Sequence, residues 1–523
     1  MIDVLLLVAG STLVSVLARR VGFSVPITLV VAGLVLSALP GVPEYHLDPQ
    51  LALLVFVPPL VYSDALESSY LDLRASARPI GLLSVGLVLF TTLVVGLVAH
   101  ALIAGLSWPV AFVLGAILAP TDAVAAVSVA RRLGLPRRIV TILVAESIVN
   151  DATGMTLFRI TVAVALGSAT GLLEGAGEFL YASIGGVAAG LLLALPARRL
   201  LRWLGDAVAE NAVSLLVPFV AYAVAESFGA SGVLAVLAAG LYLGHHAAGA
   251  SHASRLQEAA TWRLITRVLE AVGFALIGLQ LRPVLRSLST TDPLVLAGYA
   301  GAVFLTVLLM RIAWVFPATY LPRRLSARLR AKDPAPPWQF PAAISWAGTR
   351  GVVSLAAAFA VPAALPHRDL VLFLAFSVVL GTLLVQGPAF PALARRLGLR
   401  EHRQAHQDAL AEAAAHETAA RAAWHRLEEL LGSGREHAPP HILDRLRDHA
   451  EHRRFAAWER LEADAPSEAG ETPSAAYRRL RLQMLATERG VFVRLRREGR
   501  IHDEVLRRVM HELDHEEASL SRR

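Results

Sequence analysis

The sequence predicts an all-α polytopic membrane protein: about 13 transmembrane helices in two inverted six-helix repeats with broken helices 5 and 12, followed by a helical cytoplasmic tail. Hydrophobic residues make up 55% of the 523 residues and charged residues 17%, which is too apolar for a soluble chain of this length. Two apolar segments are interrupted by polar residues at mid-membrane depth. The composition turns polar near residue 400, so residues 1–400 are predicted as a transmembrane domain and residues 401–523 as a cytoplasmic helical domain.

The transmembrane prediction depends on the length of the hydrophobic segments. A helix needs about 20 apolar residues to span the hydrocarbon core of a bilayer. Several segments are short or contain Pro or Gly, but each is predicted as one span. They lie near residues 2–18, 25–39, 51–65, 79–103, 108–130, 139–166, 178–201, 211–228, 230–246, 264–281, 293–319, 341–361 and 370–394.

The distribution of arginine predicts the orientation in a bacterial cell (inner) membrane. Cytoplasmic loops carry an excess of Arg and Lys. If the N-terminus lies outside, the inner loops hold most of the arginines, and the outer loops keep only Arg282, Arg286 and Arg368. Arg159 and Arg311 fall within spans and do not enter this comparison. An odd number of spans then places the C-terminus in the cytoplasm.

The sixth segment carries four polar side chains where the membrane is most apolar. They are Glu146, Ser147, Asn150 and Asp151. A charged residue at the bilayer centre costs roughly 2.5–3.5 kcal/mol on insertion scales and usually marks a functional site. Glu146 and Asn150 share a helix face, as do Ser147 and Asp151, and the two faces lie about 100° apart. Both pairs can therefore point inward, which predicts an ion pathway.

The fifth segment is interrupted by Pro120, Thr121 and Asp122. Proline removes a backbone donor and breaks a helix, and unpaired backbone at this depth must be buried in protein or line a wet cavity. Asp122 is therefore a candidate ion ligand at the break. Thr121 and Asp122 also suit an N-cap of the following half-helix, and the two roles are compatible.

The twelfth segment is interrupted around Arg350, with Gly348 and Gly351 on either side. An arginine within a span needs a negatively charged partner. Glu146 is the predicted partner, because an arginine bound to Asp151 would leave that carboxylate poorly able to attract a cation. The fifth and twelfth segments lie seven apart in order, which is the spacing of inverted repeats made from segments 1–6 and 8–13.

The tail is rich in Arg, Glu, Ala and His, with helical runs predicted at Ala409–Leu431 and Ala475–Leu520. Histidine titrates near neutral pH, so the tail could sense pH. A solvated helix surface is the favoured interpretation, because the histidines share no single helical face and no metal-ligand spacing. They are His402, His406, His416, His425, His437, His441, His449, His452, His502, His511 and His515.

Four motifs together resemble the signatures of the monovalent cation/proton antiporter-1 family. They are Ala-Pro-Thr-Asp-Ala (119–123), Glu-Ser-Ile-Val-Asn-Asp (146–151), Phe-Ala-Leu-Ile-Gly-Leu-Gln-Leu (274–281) and Gly-Thr-Arg-Gly-Val-Val-Ser-Leu-Ala (348–356). The nearest likeness is to bacterial sodium/proton exchangers with a C-terminal cytoplasmic extension. The resemblance covers roughly residues 1–400, and residues 496–505 of the tail also resemble that subgroup.

The resemblance implies a homodimer in which the ion site lies where the broken helices cross. Asp151 looks like the aspartate that binds a proton and a cation alternately. Asp122, Ser147 and the carbonyl of Thr121 would complete the coordination of the transported Na+. The predicted partners are therefore Na+ (or K+ or Li+), H+, membrane lipid and a second copy of the chain, without nucleic acid or cofactor.

Three further predictions come from the resemblance. Asn150 stands where electrogenic relatives have a second aspartate, which predicts electroneutral one-for-one exchange. The family's Glu–Arg pair maps onto Glu146 and Arg350. Many members have an acidic residue where this chain has Ser63, with Asp64 next to it. Whether Asp64 joins the site or caps the cytoplasmic end of its helix stays open here.

Several other functions are disfavoured. An ATP-driven pump needs Gly-Lys-Ser/Thr, but the one lysine, Lys332, is followed by Asp333. An organic-anion transporter needs a cationic centre, and a membrane sensor has no use for Asp151 at mid-membrane. Cysteine is absent, which excludes thiol chemistry. The prediction is therefore a cation/proton antiporter, not an enzyme, with a K+/H+ antiporter regulated by the tail as the alternative.

Overall fold

The computed structural model describes residues 2–39, 48–122, 124–167, 172–247, 251–289, 291–399, 402–432, 439, 441–443, 446, 473–498 and 500–521. These residues belong to two compact units, Met1–Arg400 and Glu401–Arg523. The predicted all-α class is confirmed: within the described residues the regular elements are helices, and extended pairing is limited to an isolated bridge between Asp122 and Thr349.

The first unit begins with nine helices, in which α5 and α6 are joined by the π-helical turn Leu82–Gly86 into one continuous span. The helices are α1 Ile2–Val21, α2 Val25–Ala38, α3 Pro49–Glu67, α4 Tyr70–Ala75, α5 Ala77–Gly81, α6 Leu87–Leu102, α7 Trp108–Leu118, α8 Val124–Leu133 and α9 Arg137–Ala165.

The rest of the first unit contains ten helices, in which α18 and α19 are joined by a second π-helical turn, Thr382–Gln386. They are α10 Leu172–Leu204, α11 Ala207–Ser227, α12 Gly232–His246, α13 His252–Ser287, α14 Pro293–Leu325, α15 Ala327–Lys332, α16 Gln339–Trp346, α17 Val352–Phe359, α18 Arg368–Gly381 and α19 Gly387–Arg396.

These helices lie where the hydrophobic segments predict them. In the described part of the chain, nine helical spans are long and apolar enough to cross a membrane, and α2, α7 and α12 are shorter apolar helices. The predicted breaks are also present, because the fifth segment divides into α7 and α8 and the twelfth into α16 and α17. Helix α13 begins well before the predicted residue 264, since Ser251 caps it by accepting a hydrogen bond from the amide of Ser254.

Helix α9 is the most enclosed of the long apolar helices. Of its most apolar 18-residue window, 78% is buried, compared with 17% for α1 and for α14. The outer helices instead expose large apolar side chains, such as Leu192 and Trp203 on α10. This arrangement places the helix with mid-membrane carboxylates inside the protein and turns apolar surface outward, as a bilayer requires.

In the part of the second unit that the structure describes, three long helices are present: α20 His402–Gly432, α21 Pro473–Arg497 and α22 Asp503–Ser521. The predicted helical run Ala475–Leu520 is therefore wrong in one respect, because it divides near residue 500. The division lets α21 and α22 pack on each other and bury Leu485 and Leu513. The described histidine side chains of this unit, His425, His441, His502 and His515, are exposed, and those of the other seven lie outside the described residues.

Candidate functional site: two crossing helix breaks and an acidic cavity

The two helix breaks cross and are joined through their backbones. The amide of Asp122 donates to the carbonyl of Thr349 at 2.7 Å, and the hydroxyl of Thr349 donates to the carbonyl of Asp122 at 2.7 Å. Ala123, the last residue of the first motif, lies outside the described residues. The crossing thus satisfies backbone groups that Pro120 and the neighbouring glycines leave without helical partners.

Gly351 makes the close approach of the two breaks possible. A Cβ atom at this position would collide with the carboxylate of Asp122. Gly351 has an extended conformation, with φ −122° and ψ −158°, immediately before α17 begins. A glycine is needed here because of the space that Asp122 occupies, and the backbone conformation itself is one that any residue adopts.

Arg350 is buried, and its guanidinium donates hydrogen bonds to backbone carbonyls. Its Nε donates to the carbonyl of Leu118 at 3.1 Å and its Nη1 to the carbonyl of Gly348 at 2.5 Å. Leu118 is the last residue of α7, so the guanidinium lies at the negative end of that half-helix. Arg350 therefore stabilises the crossing as a C-terminal cap of α7.

The predicted ion pair between Glu146 and Arg350 is wrong: Arg311 of α14 is the partner of Glu146. Its Nη1 donates to Oε1 of Glu146 at 2.5 Å and its Nη2 to Oε2 at 3.0 Å. The side chains are 2% and 1% exposed, so this is a bidentate pair without solvent. The position of Arg311 inside a predicted span was the signal that could have identified it as the partner of Glu146.

Thr121 and Asn150 belong to the network around this pair. The amide nitrogen of Asn150 donates to Thr121 Oγ1 at 2.8 Å and approaches the Thr121 carbonyl at 3.3 Å. The Thr121 hydroxyl donates in turn to Oε1 of Glu146 at 3.2 Å. Asn150 and Glu146, both on α9, thus hold Thr121 in position through hydrogen bonds, and Glu146 is the carboxylate that is paired with Arg311.

Next to this network lies a cavity of about 390 Å³, counting the space that opens to solvent. It brings together four of the predicted residues, Asp64, Asp122, Ser147 and Asp151, and its other lining residues are Leu60, Pro120, Glu270, Gly351, Val352, Val353 and Ser354. Asp151 and Ser147 are each 8% exposed, whereas Asp64 is exposed to solvent. Asp64 and Asp151 line the same cavity, so the cavity joins Asp151 to an accessible residue near the end of α3.

Two acidic residues of the cavity, Asp64 and Glu270, lie outside the four sequence motifs. Asp64 lies inside α3, which ends at Glu67, and faces the cavity, which favours the reading in which it joins the site. Glu270 of α13 is half-buried in the cavity and was missed by sequence reasoning. Glu270 is a carboxylate within the predicted span 264–281, and this position was the signal that could have identified it as a site residue. Among the described residues, no three His, Asp or Glu side chains form a resident metal site.

Comparisons with known proteins identify the family to which this sequence is similar. The family model described as sodium/hydrogen exchanger, transmembrane, matches residues 4–396. A Mycobacterium tuberculosis protein named as an uncharacterised Na+/H+ exchanger is 34% identical over 531 residues, covering 99% of this chain and 96% of the relative. A Bacillus pumilus protein named as a sodium, potassium, lithium and rubidium/H+ antiporter is 31% identical over 413 residues, covering 75% of this chain and 60% of the relative.

A solved structure shares the fold. The sodium proton antiporter from Methanocaldococcus jannaschii at pH 8 matches with a TM-score of 0.55 at 18% sequence identity. The match covers 75% of this chain and 97% of that chain. The likeness therefore extends over almost the whole of that membrane protein.

Proposed function

We propose that this chain, which belongs to the sodium/hydrogen exchanger family, exchanges Na+ for H+ through competition at Asp151. The family match over residues 4–396 and the apolar spans make it a multi-pass membrane protein. Members of the family are antiporters that carry a monovalent cation and a proton, so the chain is a transporter. What we propose is the residue at which the two ions compete, the identity of the transported cation and the stoichiometry of exchange.

The observation that carries the proposal is that, of the two carboxylates on α9, Glu146 is paired with an arginine and Asp151, among the described residues, is not. Glu146 is neutralised by Arg311, and the guanidinium of Arg350 is occupied by the carbonyls of Leu118 and Gly348. Neither buried arginine at the crossing binds Asp151, which instead borders the cavity. Asp151 is therefore the α9 carboxylate that can receive a proton or a cation from solvent.

Competition at this carboxylate couples the two ions. A carboxylate cannot hold a proton and a cation on the same oxygens at once, and an empty charged site is costly to move through a low-dielectric barrier. Ser147 lies one turn before Asp151, and Asp122 lines the same cavity from the break between α7 and α8. We assign these three side chains to the cation, with the second lone pair of the Thr121 carbonyl as a further ligand.

Asn150 supports one-for-one, electroneutral exchange. Its amide is held by Thr121 and carries no titratable proton, so no second aspartate is present at this position of α9. One proton then exchanges for one monovalent cation, and no net charge crosses the membrane in a cycle. The name of the Bacillus pumilus relative favours K+ as the second candidate ion.

The arginine distribution supports an N-terminus outside, a C-terminus in the cytoplasm and a bacterial cell membrane location. Asp64 lies near the C-terminal end of α3, the third span, so the cavity faces the cytoplasm in this orientation. We propose a homodimer as the assembly, with residues 401–523 as a cytoplasmic appendage.

The test is cation-driven pH change in proteoliposomes. Asp151→Asn and Asp151→Ala should abolish Na+-driven proton movement, because neither side chain exchanges a proton. Asp369→Asn removes an exposed aspartate beside Arg368 and should leave the rate unchanged. Replacing Na+ with K+ in the wild type decides between the two ions. Persistent exchange in Asp151→Ala, or a rate that follows an imposed membrane potential, contradicts the proposed carrier or stoichiometry respectively.

A further inference from the structure

A second cavity lies away from the ion site, where several helices of the first unit end. Its volume is about 510 Å³, counting the space that opens to solvent. Three arginines line it: Arg78 of α5, Arg138 of α9 and Arg323 of α14. The other lining residues, including Leu82, Ile142, Val315 and Phe340, are mostly apolar. We refer to it as the arginine cavity.

One carboxylate, Asp333, lies among the three arginines. Arg138 Nη2 lies 2.7 Å from Oδ1 of Asp333 and Arg323 Nη2 lies 2.7 Å from Oδ2. Arg78 Nη2 is 3.7 Å from Oδ2, beyond hydrogen-bond distance. Three positive charges thus meet one negative charge, which leaves two positive charges uncompensated among these side chains.

Arg78 is the arginine that Asp333 leaves without a hydrogen bond. Its Nε and Nη1 atoms are buried and have no hydrogen-bond partner. Burying a charged donor without an acceptor costs more free energy than burying a neutral donor in the same way. Nη2 of Arg78 is not one of these buried atoms, so an anion that enters the cavity could contact the side chain there. A turn of the side chain would then bring a second nitrogen to the anion, and a phosphate oxygen pair matches the fork of a guanidinium.

The position of the cavity matches that of a lipid headgroup. Helices α5 and α9 begin and α14 ends beside it, so it lies at the ends of spans. Trp338, just beyond α15, is 58% exposed, as is typical of aromatic residues at a membrane interface. Basic pockets between helix ends on the cytoplasmic side bind headgroup phosphates. Apolar walls suit the glycerol and upper acyl chain better than a free ion.

We propose that the arginine cavity binds the phosphate group of an anionic phospholipid. The phosphate contacts Arg78 and Arg138, whereas Arg323 is 6% exposed and stays with Asp333. The site is independent of the proposed transport reaction, since none of its residues lines the acidic cavity.

Binding can be measured on the full-length protein in detergent, by native mass spectrometry and by the shift of the melting temperature on adding phosphatidylglycerol. Phosphatidylcholine, whose headgroup has no net charge, is the lipid control. Arg78→Gln and Arg138→Gln should each weaken phosphatidylglycerol binding about tenfold, the loss of one charge-assisted contact. Arg137→Gln is the matched protein control, because Arg137 is the neighbouring arginine but pairs with Asp72 outside the cavity.

Asp333→Asn separates binding from folding. The substitution removes the only carboxylate in contact with the three described arginines, so it should strengthen phosphatidylglycerol binding while lowering the stability of the lipid-free protein. Equal affinity in Arg138→Gln and Arg137→Gln, or weaker binding in Asp333→Asn, overturns the proposal. Stabilisation by inorganic phosphate equal to that by phosphatidylglycerol assigns the cavity to a free anion and overturns the lipid.

Discussion

At the residue scale, the pair of Glu146 and Arg311 decides which carboxylate of α9 can act. Both side chains are buried, and the guanidinium also donates from Nε to the carbonyl of Ile344 at 3.1 Å. Breaking a buried ion pair by removing one partner typically costs about 3–5 kcal/mol, because the other charge stays unpaired. Arg311 thereby pairs with both carboxylate oxygens of Glu146, which is why we assign the proposed exchange to Asp151.

A double-mutant cycle tests this pairing. Glu146→Gln and Arg311→Gln should each lower the stability of the detergent-solubilised protein, and the double variant should lose less than the sum. We expect a coupling energy of roughly 0.5–3 kcal/mol for these residues in contact. Glu146→Gln combined with Arg350→Gln is the matched control, since Arg350 donates to carbonyls instead. A larger coupling in the control than in the main cycle would restore Arg350 as the partner.

At the element scale, the crossing of the two breaks depends on a small residue before α17. Gly351→Ala places a Cβ atom against the carboxylate of Asp122, so one of the breaks must shift. We expect the rate of Na+-driven exchange to fall at least tenfold, with only a modest decrease in the yield of folded protein. The rate is measured in proteoliposomes at matched protein content. Gly298→Ala on α14 is the control, because nothing lies within 4 Å of a Cβ there, and it should retain activity. Full activity in Gly351→Ala contradicts a tight crossing.

The hairpin of α21 and α22 gives a pH prediction for the tail. Arg481 donates to both carboxylate oxygens of Glu516, at 2.6 and 2.8 Å, and this hydrogen bonding lowers the pKa of Glu516 below its usual value. A group with a lowered folded-state pKa stabilises the fold above its ordinary pKa of about 4.3 and loses that contribution as pH falls. The hairpin should therefore be stable at neutral pH and loosen in acid.

Hydrogen exchange on the full-length protein measures this effect. Arg481→Gln should speed amide exchange across residues 473–521 at pH 7. It should also reduce the further acceleration expected of the wild type between pH 5 and pH 3, in each case after correction for intrinsic exchange rates. Arg494→Gln, an exposed arginine on the same helix, should behave like wild type. Equal protection in the two variants contradicts a contribution of the pair with Glu516.

At the scale of the whole molecule, the sequence predicts spans and breaks better than contacts between helices. Apolar runs, Pro120 and the glycines beside Arg350 act locally, so their helices and breaks are readable from the chain alone. The partner of Glu146 depends on which face α14 presents to α9, which no spacing within either helix encodes. The role of Glu270 in the cavity depends in the same way on the packing of α13.

The opposite end of α9 from the cavity mouth is closed by polar contacts with the region between α11 and α12. Thr156 Oγ1 and Ser231 Oγ lie 2.8 Å apart, and Arg159 forms an ion pair with Glu226. Arg159 also donates to the carbonyl of Ala230 at 3.2 Å. In the proposed exchange, access to Asp151 alternates between the two sides of the membrane. We therefore expect these contacts to separate when the acidic cavity closes, and weakening them should shift the protein toward the other conformation.

Cysteine labelling measures that shift, because the chain has no native cysteine. Ser231 is 1% exposed. A cysteine introduced by Ser231→Cys should therefore react slowly with a membrane-impermeant maleimide added outside right-side-out vesicles. Adding Glu226→Gln removes the charge that holds Arg159 and should speed labelling several-fold. Glu178→Gln removes an exposed carboxylate of α10 and serves as the control, with no change expected. If Glu226→Gln also leaves the rate unchanged, the ion pair does not hold the outer side closed, and closure must depend on the apolar packing of α9 against α12.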